Sequence, residues 1–420
     1  MIKYKNSQFI LSLFVCALPL ALVVGAAVME FFIILSCFTF FFLNYKKIGL
    51  NYYKNNFCYI FLAFSFYLII SSILSENIYN SLKSTLFYFR FGVLIVLIWY
   101  LLDNFEGFKS LFFYSMIITL SIVIGYSIID FIFLYDERLT TRLSGLFGEE
   151  QVQGSYLLRI SPIFFLSYLY NKKFLSSRIN FSLYIMFFLI IIFIILSGER
   201  AAIFLMIIAM FLIFIFFKMK LKKIFTYLML LSLLLVVTFA TNPGIKKRIL
   251  EKTYKEFFYT QSPGGKYDFS SKKIQFFSQG HQGHFKSALI MFKQNYIKGV
   301  GVRNFRKECK KDIYKKVGRY SCTNHPHNTY LQLLSETGLI GFLFFLIFIG
   351  FIFTKASQYL INIYIRNKKI NVNQSICFVF ILINFFPLAT TGSFFNNWLS
   401  TLYFMPIAFL LHELNYKKIK

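Results

Sequence analysis

Long apolar runs with few or no charges recur from one end of this sequence to the other. The hydrocarbon core of a bilayer is about 30 Å thick, and about 20 helical residues are needed to cross it. Residues 181–196, FSLYIMFFLIIIFIIL, form one such run. Only 15% of the chain is charged, against roughly 25% of a soluble domain. The sequence therefore predicts an integral membrane protein with many spans and argues against a soluble enzyme.

Apolar runs bounded by charges and turn residues predict an all-α polytopic fold with about twelve transmembrane helices. The runs cover residues 9–24, 28–43, 57–74, 86–102, 111–134, 156–170, 181–196, 201–217, 224–240, 339–353, 376–388 and 399–411. We expect them to form a single transmembrane domain that includes all of residues 1–420.

Basic residues set the predicted orientation, because short cytoplasmic loops are enriched in Lys and Arg. If the spans alternate, Lys172, Lys173, Lys222 and Lys223 fall on one face together with the basic C-terminal end. That face is predicted to be cytoplasmic, with both termini on it. The one sizeable polar segment, 241–336, falls on the opposite face. Its own excess of Lys and Arg leaves two interpretations open, a solvated surface or a collector of anionic headgroups and phosphates.

A polar, titratable cluster, His325-Pro326-His327-Asn328, stands just before the tenth apolar run. Pro326 and Asn328 suit a change from loop to helix, which places His327 at a helix N-terminus, where anions are favoured. An imidazole titrates near pH ~6.5 and can accept a proton from a hydroxyl at neutral pH. His327 is therefore the leading catalytic candidate, and the alternative is a capping or interfacial histidine.

Three arginines lie within or between predicted transmembrane spans, where a charged side chain is unusual. Arg200, in the short stretch Ser197-Gly198-Glu199-Arg200 between two spans, can bind a phosphate through two parallel hydrogen bonds. Its alternative is a partnership with Glu199 or an interfacial position. Arg90 and Arg159 lie within apolar runs, where charge is costly and most often functional. For these two the alternative is a structural ion pair, with Asp130 a possible partner.

Two glycine-containing segments and one amphipathic segment complete the outer face. The loop from Arg138 to Glu150 contains Arg142 and is able to surround a polyanion, although its glycines also suit a simple turn. The Gly299-Val300-Gly301 turn does not follow a strand in a βαβ unit, so a dinucleotide site is rejected. Residues 284–294, which begin at His284, have apolar residues at helical intervals and predict a helix lying on the membrane face.

Cysteine and metal chemistry add little. Cys309 and Cys322 both fall in the polar segment 241–336, which we call the outer segment. A disulfide between them is a hypothesis based on that shared location. His325 and His327 have no zinc-type companions at the usual spacings, so no metal site is expected.

With these motifs in order, the sequence resembles the O-antigen ligase and O-antigen polymerase superfamily of bacterial inner membranes. The matching stretches are RLSGLFG at 142–148, SGER ending at Arg200, the Gly299–Phe305 turn and HPHNTYLQLLSETGLIG at 325–341. The resemblance implies a helical glycosyltransferase of the GT-C type with a large periplasmic loop, which carries the catalytic histidine. Its members transfer a glycan from undecaprenyl diphosphate without a nucleotide sugar, metal or other cofactor. The implied partners are that lipid-linked donor, a lipid A–core or other glycan acceptor, and membrane lipid, with no nucleic acid.

Carried over by motif, His327 takes the family's essential histidine position and Arg200 an essential arginine position. Further substrate-binding candidates are Arg142, Arg90, Arg159, Arg303 and His284. Arg303 and Glu199 replace residues that are small in many relatives, which concerns the fit of the substrate rather than the reaction class. Glu336, nine residues after His327, lies too far along the helix to touch it and is expected to anchor the loop.

The implied reaction is an inverting transfer in which arginines stabilise the departing diphosphate and His327 deprotonates or orients the accepting hydroxyl. A ligase that joins O-antigen to lipid A–core is the favoured interpretation. The alternative is a polymerase that joins repeat units on the carrier lipid. A transporter is disfavoured, because it would need charges along a transmembrane path.

Overall fold

The computed structural model describes residues 2–44, 52–134, 142–261, 267–272, 274–318 and 320–414. Its α-helices are α1 (Ile2–Val24), α2 (Ala26–Asn44), α3 (Asn56–Ile73), α4 (Ile78–Thr85), α5 (Arg90–Asn104), α6 (Glu106–Ile129), α7 (Gln153–Asn171), α8 (Ser177–Leu196), α9 (Arg200–Phe216), α10 (Leu221–Thr241), α11 (Pro243–Lys246), α12 (Thr253–Phe258), α13 (Gln279–Gln294), α14 (Phe305–Glu308), α15 (Asp312–Lys315), α16 (Thr329–Tyr364), α17 (Val372–Asn384) and α18 (Asn397–Glu413).

Short irregular helices and a small hairpin lie between these elements. The π-helices cover Asp130–Leu134 and Lys247–Lys252, and the 3₁₀ helices cover Gly145–Glu150 and Lys172–Phe174. Strands β1 (Tyr259–Gln261) and β2 (Tyr267–Lys272) pair in an antiparallel sense. The protein is thus mainly helical, as predicted, and the two-stranded hairpin in the outer segment is the departure from an all-α fold.

Each of the twelve predicted apolar runs lies largely on a helix, and α16 extends well beyond the tenth run, 339–353, at both ends. Within the described residues, seven helical stretches are long and apolar enough to cross a membrane, and the apolar helices Ala26–Phe42, Arg200–Phe216 and Val372–Asn384 are shorter. Helices suit this environment because their backbone groups bond internally, where hydrocarbon offers no partner. A multi-pass membrane protein follows, while the count of twelve and the GT-C type stay predictions.

Burial divides the helices into an inner and an outer group. In α18 every residue from Leu399 to Leu411 is buried, and α5 is buried almost throughout from Leu94 to Leu102. By contrast, α10 buries only Thr238 and exposes apolar side chains such as Phe225. In lipid an apolar exterior carries no penalty, since lipid tails are as apolar as the side chains. The packing therefore places α5 and α18 at the centre of the bundle.

The Gly299–Gly301 turn packs against an interruption in α16. At Gly338 the backbone adopts φ +64°, which breaks the helical ladder. Val300 N donates to Ser335 O at 2.9 Å, and Gly301 N donates to Glu336 O at 2.9 Å. A Cβ on Gly299 would collide with the backbone of residues 336–338. The two glycines serve this close backbone approach.

The outer segment packs on the start of α16 around a small core of its own. That core contains Ala288 and Met291 from α13, together with Val300, Phe305, Cys309 and Tyr314. Cys309 and Cys322 form a disulfide, as hypothesised. The helix predicted at 284–294 is present, but it begins at Gln279 and buries one face against protein. The outer segment is therefore a folded cap positioned above α16.

Candidate active site

Four of the five histidines in the chain meet at the junction of α13 and α16. The ring centroid of His327 lies 4.2 Å from that of His325, and 5.5 Å from those of both His281 and His284. His327 is thus in the middle of the group, which we call the histidine cluster. The HPH stretch could be identified from sequence, whereas the arrival of His281 and His284 from α13 depends on the fold.

The backbone holds His327 at the very start of α16. Its φ is +57°, in the left-handed region that few non-glycine residues adopt. Asn328 caps the helix, since its Oδ1 accepts from Leu331 N at 3.1 Å. The predicted change from loop to helix at this point is confirmed.

A segment near the C-terminus fastens the histidine cluster from the other side. Thr391 N donates to His327 O at 2.9 Å, and His325 Nε2 lies 3.3 Å from Thr391 O. Asn328 Nδ2 donates to Pro387 O at 2.7 Å. About sixty residues separate these partners in sequence, and sequence reasoning did not identify this support.

Burial keeps the histidines neutral. It lowers the pKa of His281 to about 4 and the pKa of His284 to about 4, with the charge of His327 adding to the effect. It lowers the pKa of His325 to about 3 and also depresses that of His327. A neutral imidazole is the form that can accept a proton, so His327 is base-competent at neutral pH.

A first group of arginines, Arg142, Arg200 and Arg248, lies beside the histidine cluster and is here called the first arginine group. Arg200 Nη1 lies 2.7 Å from Glu256 Oε2, so its partner is Glu256 and not Glu199. Arg248 Nε donates to Gly198 O at 3.0 Å, just before Arg200 in the chain. Burial, then the charges of Arg142 and Arg200, lowers the pKa of Arg248 to about 10.

The remaining first-group contacts centre on Glu199. Arg142 Nη2 lies 3.9 Å from Glu199 Oε1, and Arg142 Nη1 donates to Gln151 Oε1 at 2.7 Å. Glu199 Oε2 accepts from Ser155 N, and Arg159 lies close enough for its charge to act on the same carboxylate. The structure therefore brings the predicted Arg142, Arg159 and Arg200 to one region, and adds Arg248. Arg138 lies outside the described residues.

Arg90 corrects one expectation about pairing. Its Nε lies 2.7 Å from Glu30 Oε1 on α2, and its Nη1 donates to Phe87 O at 2.6 Å. Asp130, the suggested partner, instead accepts a hydrogen bond from Gly145 N at 2.9 Å. The difference arises because α2 packs against α5, whereas Asp130 lies at the end of α6.

A second group, Arg303 and Arg306, follows the Gly299–Gly301 turn, and we call it the second arginine group. Burial, then the charge of Arg306, lowers the pKa of Arg303, while the charge of Glu336 opposes this shift and Arg90 adds a smaller lowering. The charge of Arg306 also acts on His325, after burial and His327. The second group thus adjoins the His325 side of the cluster, while the charge of Arg200 acts on His281.

Glu336 fixes the second arginine group to α16. Its side chain is fully buried, and its Oε1 accepts from Phe305 N at 3.2 Å while its Oε2 accepts from Gln332 Nε2 at 3.0 Å. Gln332 also donates to Ser393 Oγ at 2.8 Å. The carboxylate therefore anchors the loop, as expected from its distance from His327, and does not take part directly in the cluster.

Among the side chains that the structure describes, no group of three or more His, Cys, Asp or Glu is arranged to hold a metal ion. What the site offers is a neutral imidazole whose neighbours His281 and His325 each feel the charge of an arginine. Such a site can deprotonate a hydroxyl and stabilise an anionic leaving group.

Sequence reasoning missed Arg248, Arg306 and His281. The i, i+3 spacing of His281 and His284 on α13 was a usable signal, because residues three apart share a helix face. Nothing local distinguishes Arg248 and Arg306 from the many other basic residues of the outer segment.

Comparison with known proteins gives a match that agrees with the resemblance found in the sequence motifs. A family model described as O-antigen ligase matches residues 185–346, which include α8–α10, the outer segment and the start of α16. No curated protein gives a significant match to the chain. The matched residues contain Arg200, the whole histidine cluster and the second arginine group. Residues 185–346 of this chain are thus similar to the O-antigen ligase family, in agreement with the superfamily that the sequence motifs resemble.

Proposed function

We propose that this protein is an O-antigen ligase of the bacterial inner membrane. It transfers a glycan from undecaprenyl diphosphate to a lipid A–core acceptor on the periplasmic face, with both termini in the cytoplasm. The observation that carries the proposal is the position of His327. It is a half-buried, neutral imidazole just before the N-cap of α16, in a cluster with arginines nearby, inside the region that matches the family.

The first arginine group binds the diphosphate of the donor. Arg200 and Arg142 can form paired hydrogen bonds to phosphate oxygens, and Arg248 adds a third cation. Negative charge grows on the diphosphate as its bond to the sugar breaks, so fixed cations stabilise the transition state more than the bound donor. Glu256 and Glu199 hold the guanidinium groups of Arg200 and Arg142 in place before the substrate arrives.

His327 activates the acceptor. Its imidazole takes the proton of the accepting hydroxyl as that oxygen bonds to the anomeric carbon from the face opposite the diphosphate. The bond from that carbon to the diphosphate oxygen breaks, its electron pair leaves with undecaprenyl diphosphate, and the anomeric configuration inverts. General-base catalysis of this kind contributes about 10²–10⁴ in rate.

Gene deletion in the host tests the proposal. The deletion strain is complemented with wild type, His327→Ala or His412→Gln, and its lipopolysaccharide is resolved on a gel. His412 is the matched control, because it is the one histidine outside the cluster and pairs with Asp103 at 2.5 Å. We expect wild type and His412→Gln to restore the high-molecular-weight bands, and His327→Ala, present at equal abundance, to fail.

The pattern in the deletion strain separates the two activities of the superfamily. Loss of every O-antigen band with polymer accumulating on the carrier lipid supports the ligase. A single repeat unit on the core without a longer ladder identifies a polymerase instead. Full complementation by His327→Ala would refute the catalytic role of this histidine, and an unchanged profile in the deletion strain would refute both activities.

A further inference from the structure

The second arginine group is held in place, but within the described residues neither of its guanidinium groups forms an ion pair with a carboxylate. The Nε atoms of Arg303 and Arg306 are buried, and neither has a hydrogen-bond partner within the described residues. By contrast, Arg142 and Arg200 in the first group each face a carboxylate. Two neighbouring, half-buried cations repel each other and lose part of their hydration, so an anion that joins them is stabilising.

Within the described residues, Glu336 is the carboxylate whose charge acts on Arg303, but it forms no ion pair with either guanidinium. Its oxygens accept from Phe305 N and Gln332 Nε2. Glu30 forms an ion pair with Arg90 instead, and its Oε1 lies 2.7 Å from Arg90 Nε. The guanidinium groups of Arg303 and Arg306 are therefore available to a ligand.

The backbone around these two residues is rigid. Arg303 adopts φ +59°, and its carbonyl accepts from Asn80 Nδ2 at 3.0 Å. Asn304 Nδ2 donates to Ser81 Oγ at 3.1 Å. Together with the two hydrogen bonds from the glycine turn to α16, these contacts hold the segment to the bundle. A site whose supports are locked in this way binds with little loss of conformational entropy.

The two arginine groups act on different members of the histidine cluster. His327 contacts every other member of the cluster, with His281 and His284 on α13 and His325 beside it in the chain. Arg200 lies near His281, and Arg306 lies near His325. An anion on the second group would therefore occupy a place separate from that of the donor diphosphate on the first group.

We propose that Arg303 and Arg306 form a second anion-binding subsite, which takes a phosphate of the acceptor glycolipid close to its reacting hydroxyl. This inference rests on the proposed glycosyl transfer and assigns the acceptor to the phosphate-bearing glycolipids. The phosphate belongs either to a phosphorylated lipid A–core or to the diphosphate of a second carrier-linked glycan. Phosphate matches the planar, forked donors of arginine better than any neutral sugar group.

Lipid binding to the full chain tests the subsite without requiring catalysis. The protein is placed in phosphatidylcholine nanodiscs, whose zwitterionic lipid offers no competing anionic headgroup, and bound lipids are counted and titrated by native mass spectrometry. The probes are undecaprenyl diphosphate, phosphorylated lipid A–core, and the same glycolipid after its phosphates are removed. The variants are Arg303→Gln with Arg306→Gln, and Arg200→Gln with Arg248→Gln. The matched control is Lys307→Gln, which removes an exposed cation directly after Arg306 that donates to Asn77.

We expect the Arg303→Gln, Arg306→Gln protein to bind phosphorylated lipid A–core at least about tenfold more weakly, because charge-assisted hydrogen bonds are lost. It should bind undecaprenyl diphosphate as wild type does. Removing the phosphates should weaken binding to wild type equally, and Lys307→Gln should change neither lipid. If wild type instead binds two carrier lipids and the variant binds one, the subsite stands and its phosphate comes from a second carrier-linked glycan.

Unchanged affinity and stoichiometry for both lipids in the folded double variant would overturn the subsite. An Arg303→Lys, Arg306→Lys protein keeps both positive charges but loses the paired N–H donors of the guanidinium groups. It replaces the glutamine variant if that variant does not fold. It should retain part of the affinity for the phosphorylated glycolipid. Failure of the donor assignment is separate, because it would show as wild-type carrier-lipid binding by the Arg200→Gln, Arg248→Gln protein.

Discussion

His327 combines an unusual backbone conformation with a neutral side chain. A left-handed φ of +57° in a non-glycine residue costs about 1–3 kcal/mol and persists where the surroundings impose it. Here Thr391 and the Asn328 cap hold the backbone from two sides. The strain places the imidazole in contact with three other rings, where burial removes its charge.

The pH dependence of transfer should reflect this burial. Because the pKa of His327 is lowered from its usual value near 6.5, the active neutral form persists to lower pH, and the acid limb of kcat/KM should lie below pH 6.5. Initial rates from about pH 4 to about pH 8 in nanodiscs measure the limb. A limb at or above pH 6.5 would contradict the structure.

Stability should fall on acidification for the same reason. The pKa values of His281, His284 and His325 are lowered to about 4, 4 and 3 by burial, so the unfolded chain binds more protons below pH 6.5. The stabilisation is complete above about pH 6.5 and is lost as the pH falls toward 4. Thermal unfolding of wild type and His284→Gln across this range tests it, and the variant should be less sensitive to acid.

Among the elements, the interruption of α16 directly positions residues of the candidate site. The break at Gly338 frees backbone groups that the Gly299–Gly301 turn then occupies, and this contact positions both Arg303 and Glu336. A dinucleotide-like glycine pattern here has a purely structural use.

Substitution of Gly338 should show the importance of that contact. Gly338→Ala places a Cβ against Ile297 at φ +64°, so we expect a loss of more than about 1 kcal/mol and loss of transfer. Gly350→Ala in the same helix is the matched control, because its Cβ meets nothing within 4 Å. That change should be neutral or stabilising by up to about 1 kcal/mol. Thermal unfolding in detergent compares them, and equal melting temperatures would contradict the account.

The disulfide should stabilise the outer segment. Cys309 and Cys322 are 13 positions apart, and closing a loop of this size is worth about 3 kcal/mol. Alkylation under denaturing, non-reducing conditions should label four cysteines, namely Cys16, Cys37, Cys58 and Cys377, and all six after reduction. Mass spectrometry reads the count. Labelling of all six without reduction would exclude the disulfide.

At the scale of the whole molecule, the apolar helical bundle is suited to lipid, whereas the folded outer segment has a polar surface and a small core of its own. The helices expose apolar side chains such as Phe225 and Leu221 to hydrocarbon, while the outer segment buries a separate small core beside the histidine cluster. Candidate site residues converge on that one end of the molecule instead of lining a path through it. This arrangement suits chemistry at a membrane surface.

Membrane orientation can be checked with single added cysteines. Lys293 on α13 and Lys368 in the loop after α16 are both exposed. If both termini are cytoplasmic, Lys293→Cys should react with a membrane-impermeant maleimide in intact spheroplasts, and Lys368→Cys only after permeabilisation. The opposite pattern would invert the topology and place the histidine cluster in the cytoplasm.

The sequence by itself determined the helices and the helix start at Asn328, because apolar length and capping are local properties of the chain, and it singled out His327 as the leading catalytic candidate. It also suggested the pairing of Cys309 with Cys322, from compartment alone. Only the tertiary structure decided that Arg90 pairs with Glu30 and Arg200 with Glu256, and that His281, Arg248 and Arg306 join the site. Such partnerships depend on how helices rotate and where distant loops come to rest. A local pattern carries no information on either.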